Sequence, residues 1–144
     1  MHSRFSCFAA SITDKILDAA KQEKRFELTA VYSRTTQRAE EFAKKYNIPH
    51  RYTSLEEMAA SSLIDAVYIA SPNSLHAPQS ILFMNHGKHV LCEKPLASNA
   101  HEAKEMIEVA ERNNVTLMEA MKPTLTPNFF SIKNNLDKLG TIRR

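Results

Sequence analysis

Glycine is nearly absent from this chain, since only Gly87 and Gly140 occur among its 144 residues. Neither lies near the start, which excludes a glycine-rich phosphate-binding loop in the first part of the fold. Tryptophan is missing, and the two cysteines, Cys7 and Cys92, lack the short spacing of a metal site. The cysteines indicate reduced thiols, and the six histidines are scattered, so we predict no bound metal.

Long apolar runs and blocks of like charge are also missing. No stretch is long enough to cross a membrane, and the first eight residues lack the sustained apolar core of a signal peptide. The net charge of +3 comes from 19 basic and 16 acidic residues that are intermixed, a pattern that does not favour nucleic acid. We therefore predict a cytoplasmic protein that binds neither membrane nor nucleic acid, with a charge that suits a small anionic ligand.

Strand-like and helix-like segments alternate through most of the chain. Strands that alternate with helices of this length predict right-handed βαβ units and a parallel sheet. The predicted fold is therefore α/β, a doubly wound parallel sheet of the Rossmann-like type. The predicted strands are 28–32, 50–52, 66–70, 89–92 and 115–118, and the predicted helices begin at or near Ser11, Thr35, Ser54, Ala77 and Ser98 or Asn99.

Polar motifs follow two of the most apolar predicted strands. Ser71-Pro72-Asn73 and His76 come after strand 66–70, and Glu93-Lys94-Pro95 comes after strand 89–92. In open α/β sheets, ligands bind at the carboxyl ends of the strands. Each motif alone also suits ordinary structure, because Pro72-Asn73 is a good turn and Glu93-Lys94 could be a solvated ion pair. Their shared position favours a site.

Four short motifs follow one another along the chain, namely Ser71-Pro72-Asn73 with His76, Gly87-Lys88-His89-Val90-Leu91, Glu93-Lys94-Pro95 and Glu119-Ala120-Met121. In this order they resemble the amino-terminal half of the Gfo/Idh/MocA family of glucose–fructose oxidoreductases and inositol dehydrogenases, from about Ile12 onward. The last motif is similar to the dihydrodiol-dehydrogenase-like branch. The resemblance implies an NAD(P)-binding Rossmann domain of an oxidoreductase lineage that acts on a hydroxyl of a sugar, polyol or dihydrodiol.

The same resemblance implies roles for individual residues. Lys94 would be the catalytic residue, near the nicotinamide and the reacting hydroxyl, where its charge can hold an oxygen that becomes negative. Glu93 would neutralise or orient it, and Asn73 and His76 would lie beside the ribose and nicotinamide. The residues predicted to bind the cofactor are Ser11, Ile12, Ser33, Arg34, Ser71, Pro72, Asn73, His76, Glu93 and Lys94.

The end of the second predicted strand bears on which nicotinamide cofactor is used. NAD-specific folds place Asp or Glu there to hold the ribose 2′-hydroxyl, and this chain has Ser33-Arg34 instead. A guanidinium can bind a 2′-phosphate through two parallel hydrogen bonds. The helix that begins at Thr35-Thr36 would add amide donors for an anion. We therefore predict NADP(H) in preference to NAD(H).

The family pattern fails at the first turn. Phe8, Ala10 and Thr13 stand where the three glycines of the dinucleotide fingerprint belong. Arg4 to Ala9 also makes a poor buried strand, with Ser6 in its middle, so we predict that the first strand and its turn are degenerate. A frameshift or misplaced start would explain this, and so would genuine divergence.

The predicted domains are 1–122, a dinucleotide-binding Rossmann-like domain, and 123–144, a linker and a helix over 129–139 that lead into a missing carboxyl-terminal substrate domain. In this interpretation the chain is incomplete and inactive by itself. The alternative is a non-catalytic remnant or protein-interaction fragment, with an apolar surface through which the chain forms a homo-oligomer. That surface comprises Phe129, Phe130, Ile132 and Leu136.

Overall fold

The computed structural model describes residues 3–140, which form a six-stranded sheet in the order β3-β2-β1-β4-β5-β6. Every pairing between neighbouring strands is parallel. This order, with its reversal between β1 and β4, is that of a doubly wound Rossmann sheet, and it confirms the predicted fold class. The strands are β1 (Ser3–Phe8), β2 (Phe26–Tyr32), β3 (His50–Tyr52), β4 (Ala66–Ile69), β5 (His89–Cys92) and β6 (Leu117–Glu119).

Helices cover both faces of the sheet. One face buries Met58, Phe83 and Met106 from three of the helices, and the opposite face buries Leu17 and Ala43 from two others. The two covered faces explain why β4, in the middle of the sheet, is apolar and buried along its whole length. The helices are α1 (Thr13–Ala20), α2 (Thr36–Tyr46), α3 (Leu55–Ala60), α4 (His76–Asn85), α5 (Ala100–Arg112) and α6 (Pro127–Lys133), with 3-10 turns at Asn73–Leu75, Lys122–Leu125 and Leu136–Leu139.

Side-chain caps set the start of four of the described helices. Thr35, Ser54, Asn99 and Thr126 each accept a hydrogen bond from the amide three residues further on, as is typical of such residues. The helix predicted to begin at or near Ser11 begins at Thr13, and Ile12 holds the capping position without a side-chain bond. Of the two alternatives for α5, Asn99 is the cap.

The first strand differs most from the sequence-based expectation. β1 pairs with both β2 and β4, so it lies inside the sheet, and its last three residues are buried. The hydroxyl of Ser6 donates to the carbonyl of Ala66 at 3.3 Å, and the register shifts between Phe5 and Ser6. A strand therefore forms over this segment despite its weak pattern, with an irregular register in its middle. Pairing on both edges and a partner for the serine offset its weak pattern.

The segment after β6 also departs from prediction. The single helix expected over 129–139 is instead α6, which begins at Pro127 and ends at Lys133, followed by a separate 3-10 turn. Proline suits the first helical position because its missing amide would have no partner there. The last strand begins two residues later than predicted. Among residues 3–140, no helix has the length and apolar character that a membrane span needs.

Candidate functional site

A cleft of about 670 Å³ lies at the carboxyl edge of the sheet, between the segments that follow β1, β2 and β4. This is the crevice where the strand order reverses, the position at which doubly wound sheets bind ligands. Five of the residues predicted to bind a cofactor line it, namely Ser11, Ser33, Arg34, Ser71 and Pro72. The other five, Ile12, Asn73, His76, Glu93 and Lys94, are not among its lining residues.

One wall of the cleft carries positive charge. Arg34 follows β2, and Arg38 lies in the first turn of α2, where no acidic residue is present. The Nε of Arg38 donates to the carbonyl of Ala9 at 3.1 Å, so this side chain reaches across to the turn after β1. Sequence reasoning missed Arg38. Thr35 could have revealed it, because a helix cap at Thr35 places Arg38 in the first turn of α2, beside the end of β2.

Three amides in and beside the turn after β1 donate to backbone carbonyls of the protein. The amide of Ala9 donates to the carbonyl of Tyr32 at 2.9 Å, and that of Ala10 donates to Phe8 at 2.8 Å. The amide of Thr13 donates to Ala10 at 3.1 Å, while the Thr13 hydroxyl donates to the Phe8 carbonyl at 2.8 Å. A tight turn therefore forms without glycine.

The floor of the cleft is aromatic. The Phe8 ring packs against Tyr32 and Phe83, with ring centroids 5.0 and 6.5 Å away. Gln79 of α4 lines the cleft and is 8% exposed, and its Oε1 has no hydrogen-bond partner within the protein. The buried hydroxyl of Ser71 likewise has none. Buried polar atoms usually find a partner, so these two offer contacts to a ligand. The sequence predictions did not include Gln79 or Tyr32.

His76 links the two strand-end motifs. It is 1% exposed, and its ring nitrogens lie 2.7 Å from the Pro95 carbonyl and 2.9 Å from the Ser71 carbonyl. The loop after β4 is thereby held to the loop after β5. Both ring nitrogens of His76 thus already contact backbone oxygens. The predicted contact of His76 with the cofactor stays a prediction.

Glu93 and Lys94 lie at the same edge of the sheet, beside the cleft. The hydroxyl of Tyr68 donates to the Glu93 carboxylate, and the amide of Lys94 donates to the same carboxylate at 3.2 Å. Burial, and then the Glu93 carboxylate, raise the pKa of Tyr68, which keeps its proton on the phenol. The side chain of Lys94 is exposed and the Lys94–Pro95 peptide bond is cis. The catalytic role of Lys94 stays a prediction.

Cys7 and Cys92 are both buried and form no disulfide. Burial raises the pKa of Cys7 to about 12 and is the main cause that raises that of Cys92 to about 11. At neutral pH both stay protonated and unreactive.

A doubly wound sheet with a ligand cleft at its switch point defines a nucleotide-binding domain of the Rossmann class. The chain belongs to the Gfo/Idh/MocA oxidoreductases, because residues 9–121 match the model of this oxidoreductase family, whose fold is the NAD-binding Rossmann fold. This confirms the resemblance found in the sequence.

Relatives agree with this assignment. The chain is 60% identical over 133 residues to the scyllo-inositol 2-dehydrogenase (NADP(+)) IolU of Bacillus subtilis. The match covers 92% of this chain and 40% of IolU. The chain is also 41% identical over 116 residues to the trans-1,2-dihydrobenzene-1,2-diol dehydrogenase of Mus musculus, covering 81% of this chain and 34% of that enzyme. The chain thus spans about 40% or less of these curated relatives.

Solved structures show the same architecture. The 3-ketoreductase KijD10 of Actinomadura kijaniata, in complex with NADP and TDP-benzene, matches with a TM-score of 0.88 and 28% identity. The match covers 96% of this chain and 43% of KijD10. An oxidoreductase of Thermotoga maritima matches with the same TM-score and 32% identity, over 96% of this chain and 44% of that one.

Proposed function

We propose that this chain is the NADP(H)-binding domain of an oxidoreductase that acts on a hydroxyl of a cyclic polyol, sugar or dihydrodiol. The observation that carries the cofactor preference is the pair Arg34 and Arg38 on one wall of the cleft, with Ser33 between β2 and the first of them. IolU is named as an NADP(+) dehydrogenase, and KijD10 was crystallised with NADP. Both similarities support the proposal for this chain.

Electrostatics favour an anion at this wall. The amino end of α2 carries partial positive charge, and the guanidinium groups of Arg34 and Arg38 add two full positive charges to this wall. A bound anion would offset the repulsion among them. The first turn of α2 contains no acidic residue to relieve this. A 2′-phosphate would supply the missing charge and could accept hydrogen bonds from Arg34, Arg38 and the helix amides. Hydrogen bonds to charged groups are worth about 1.5–3 kcal/mol each.

The catalytic part of the proposal depends on Lys94. A bound nicotinamide supplies the hydride chemistry. Lys94 follows β5 at the ligand-binding edge, where its ammonium could stabilise an oxygen that becomes negatively charged. Glu93, held by Tyr68, would orient it through the backbone contact. The substrate itself would be selected by residues beyond those of this Rossmann domain.

Titration of the protein with NADPH and NADH tests the proposed cofactor. We expect saturable binding of NADPH below millimolar concentration, followed by reduced-nicotinamide fluorescence or by calorimetry. NADH should bind at least about tenfold more weakly, because tenfold corresponds to about 1.4 kcal/mol and the 2′-phosphate contacts exceed that. Absence of saturable NADPH binding at millimolar concentration would dispose of the proposal, and equal affinities would remove the preference.

A second candidate function, self-association, is favoured by the apolar side chains that follow β6. Phe129 is 39%, Phe130 47% and Ile132 59% exposed on α6. Leu125 of the preceding turn is 74% exposed, and Leu136 lies beyond α6 at 40%. We name these five residues the α6 patch. Several large apolar side chains exposed on neighbouring elements commonly mark an interface, and we propose a second copy of this chain as its occupant.

Replacing Phe130 by serine should weaken this self-association, because it removes a large, half-exposed apolar ring from the α6 patch. Sedimentation velocity over a range of protein concentrations measures the effect, and we expect the association midpoint to rise at least about tenfold. Ile107→Ser is the matched control, since Ile107 is 49% exposed on α5 and is not part of the patch. The same midpoint in Phe130→Ser and wild type would contradict the interface.

A further inference from the structure

We propose that Glu119 is a positioning residue, which holds the loop after β5 so that the Lys94 ammonium faces the nicotinamide half of the cofactor. The inference rests on the proposed function, because it concerns how this chain places the lysine to which that function assigns the reaction. It gives a role to the motif Glu119-Ala120-Met121, whose residues do not line the cofactor cleft. Three observations lead to it.

The first observation is a hydrogen bond that joins the end of β6 to this loop. The backbone amide of Leu96 donates to Oε1 of Glu119 at 2.8 Å, although the two residues are 23 positions apart in sequence. Glu119 is the last residue of β6, and it lies beside Cys92 of the parallel strand β5. The amide of Ala120 donates to the Cys92 carbonyl at 2.7 Å. The sheet therefore fixes the main chain from which the half-buried Glu119 side chain reaches the loop.

The second observation is that the loop is held on both sides of Lys94. On one side, the Glu93 carboxylate accepts hydrogen bonds from the Tyr68 hydroxyl and from the Lys94 amide. On the other side, Glu119 holds the amide of Leu96, whose partly buried side chain packs against the core. Loss of the Glu119 carboxylate would therefore free one of the two flanks of the main chain that carries the lysine.

The third observation is that His76, which also contacts this loop, cannot replace Glu119 as the acceptor. The Nδ1 atom of His76 contacts the Pro95 carbonyl and its Nε2 atom contacts another carbonyl, so neither can accept from the Leu96 amide. A partly buried amide that loses its partner costs free energy, and the loop would shift to find a new one. Within residues 3–140 the Lys94 ammonium forms no ion pair with a carboxylate. The place of its charge therefore depends on the main chain.

Titration with the whole cofactor and with one of its halves tests the proposal. The probes are NADPH and adenosine 2′,5′-bisphosphate, which lacks the nicotinamide, each titrated by calorimetry against the whole chain. Replacing Glu119 by alanine should weaken NADPH binding about 3- to 10-fold and leave the bisphosphate within about twofold, because only the nicotinamide half would meet the Lys94 loop. Glu119→Gln keeps a carbonyl acceptor for the Leu96 amide, so both affinities should stay within about twofold of wild type.

A double-mutant cycle with Lys94→Ala separates positioning from a general loss of structure. If Glu119 acts through the lysine, the double variant should bind NADPH within about twofold of Lys94→Ala alone, because coupled residues do not have additive effects. Glu111→Ala is the matched control, since Glu111 is an exposed carboxylate that lines the same groove beside β6 as Glu119. Its loss should leave both affinities within about twofold, because solvent and salt screen an exposed charge.

The outcomes separate this inference from the proposed function. Equal NADPH affinities in wild type and Glu119→Ala would overturn the positioning role and leave NADPH binding intact. Additive losses in the double variant would overturn it as well, and so would an equal loss for NADPH and the bisphosphate in Glu119→Ala. A loss in Glu119→Gln as large as that in Glu119→Ala would show that the acceptor is not what matters. Failure of the wild type to bind NADPH would instead remove the proposed function, and the positioning role with it.

Discussion

Replacement of Phe83 by alanine is expected to lower the free energy of unfolding by about 3–5 kcal/mol, the usual cost of deleting a buried phenylalanine ring. Phe83 is fully buried on α4, in the core cluster between this helix and the sheet. Its ring also meets the edge of the Phe8 ring, which fixes the start of the turn below the cleft. Removal of the ring would therefore leave a cavity and loosen that turn.

Urea unfolding followed by far-ultraviolet circular dichroism measures this effect, a suitable probe because the chain has no tryptophan. Phe83→Leu retains most of the volume and should cost about 1 kcal/mol, so it stays folded if the alanine variant does not. Ile107→Ala, at an exposed site on α5, should change stability by no more than about 0.5 kcal/mol. A loss below about 1 kcal/mol in Phe83→Ala would show that the ring does not support the core as described.

Most of the sheet could be predicted from the sequence, because its strands are short apolar runs between helices with a clear 3.6-residue period. β1 could not, since its residues include arginine and two serines and its stability comes from neighbours. Arg4 pairs with Asp65 at 2.6 Å, and Ser6 bonds to Ala66, both about sixty residues away in sequence. Such partners are invisible to a local pattern, and this strand is where tertiary structure overrides propensity.

The candidate site could be predicted only in part, because some of its features are local in sequence and others depend on tertiary structure. Strand ends can be found from the sequence, so Ser33, Arg34 and Ser71 were expected at the carboxyl edge of the sheet, where they line the cleft. Which of the edge residues share one cleft depends on how far each loop turns, and the sequence holds no direct record of that. Gln79 was missed because its position on α4, facing the cleft, depends on the angle at which the helix leaves β4.

Replacement of Arg34 by alanine is expected to weaken NADPH binding by about 10- to 100-fold, which corresponds to about 1.4–2.8 kcal/mol. The physical reason is the loss of charge-assisted hydrogen bonds to the 2′-phosphate, each worth about 1.5–3 kcal/mol. NADH has no such phosphate, so its weaker binding should change by less than about twofold. Calorimetric titration of both cofactors against wild type and variant measures the difference.

Two controls separate this contact from general electrostatics. Arg112→Ala removes the same charge from the exposed last turn of α5 and should leave both affinities within about twofold. Arg34→Lys keeps the charge but loses the planar, two-pronged donor, so we expect it to recover only part of the lost affinity. An equal loss for NADPH and NADH would instead mean that Arg34 contacts a group common to the two cofactors, and the preference for NADP(H) would need another origin.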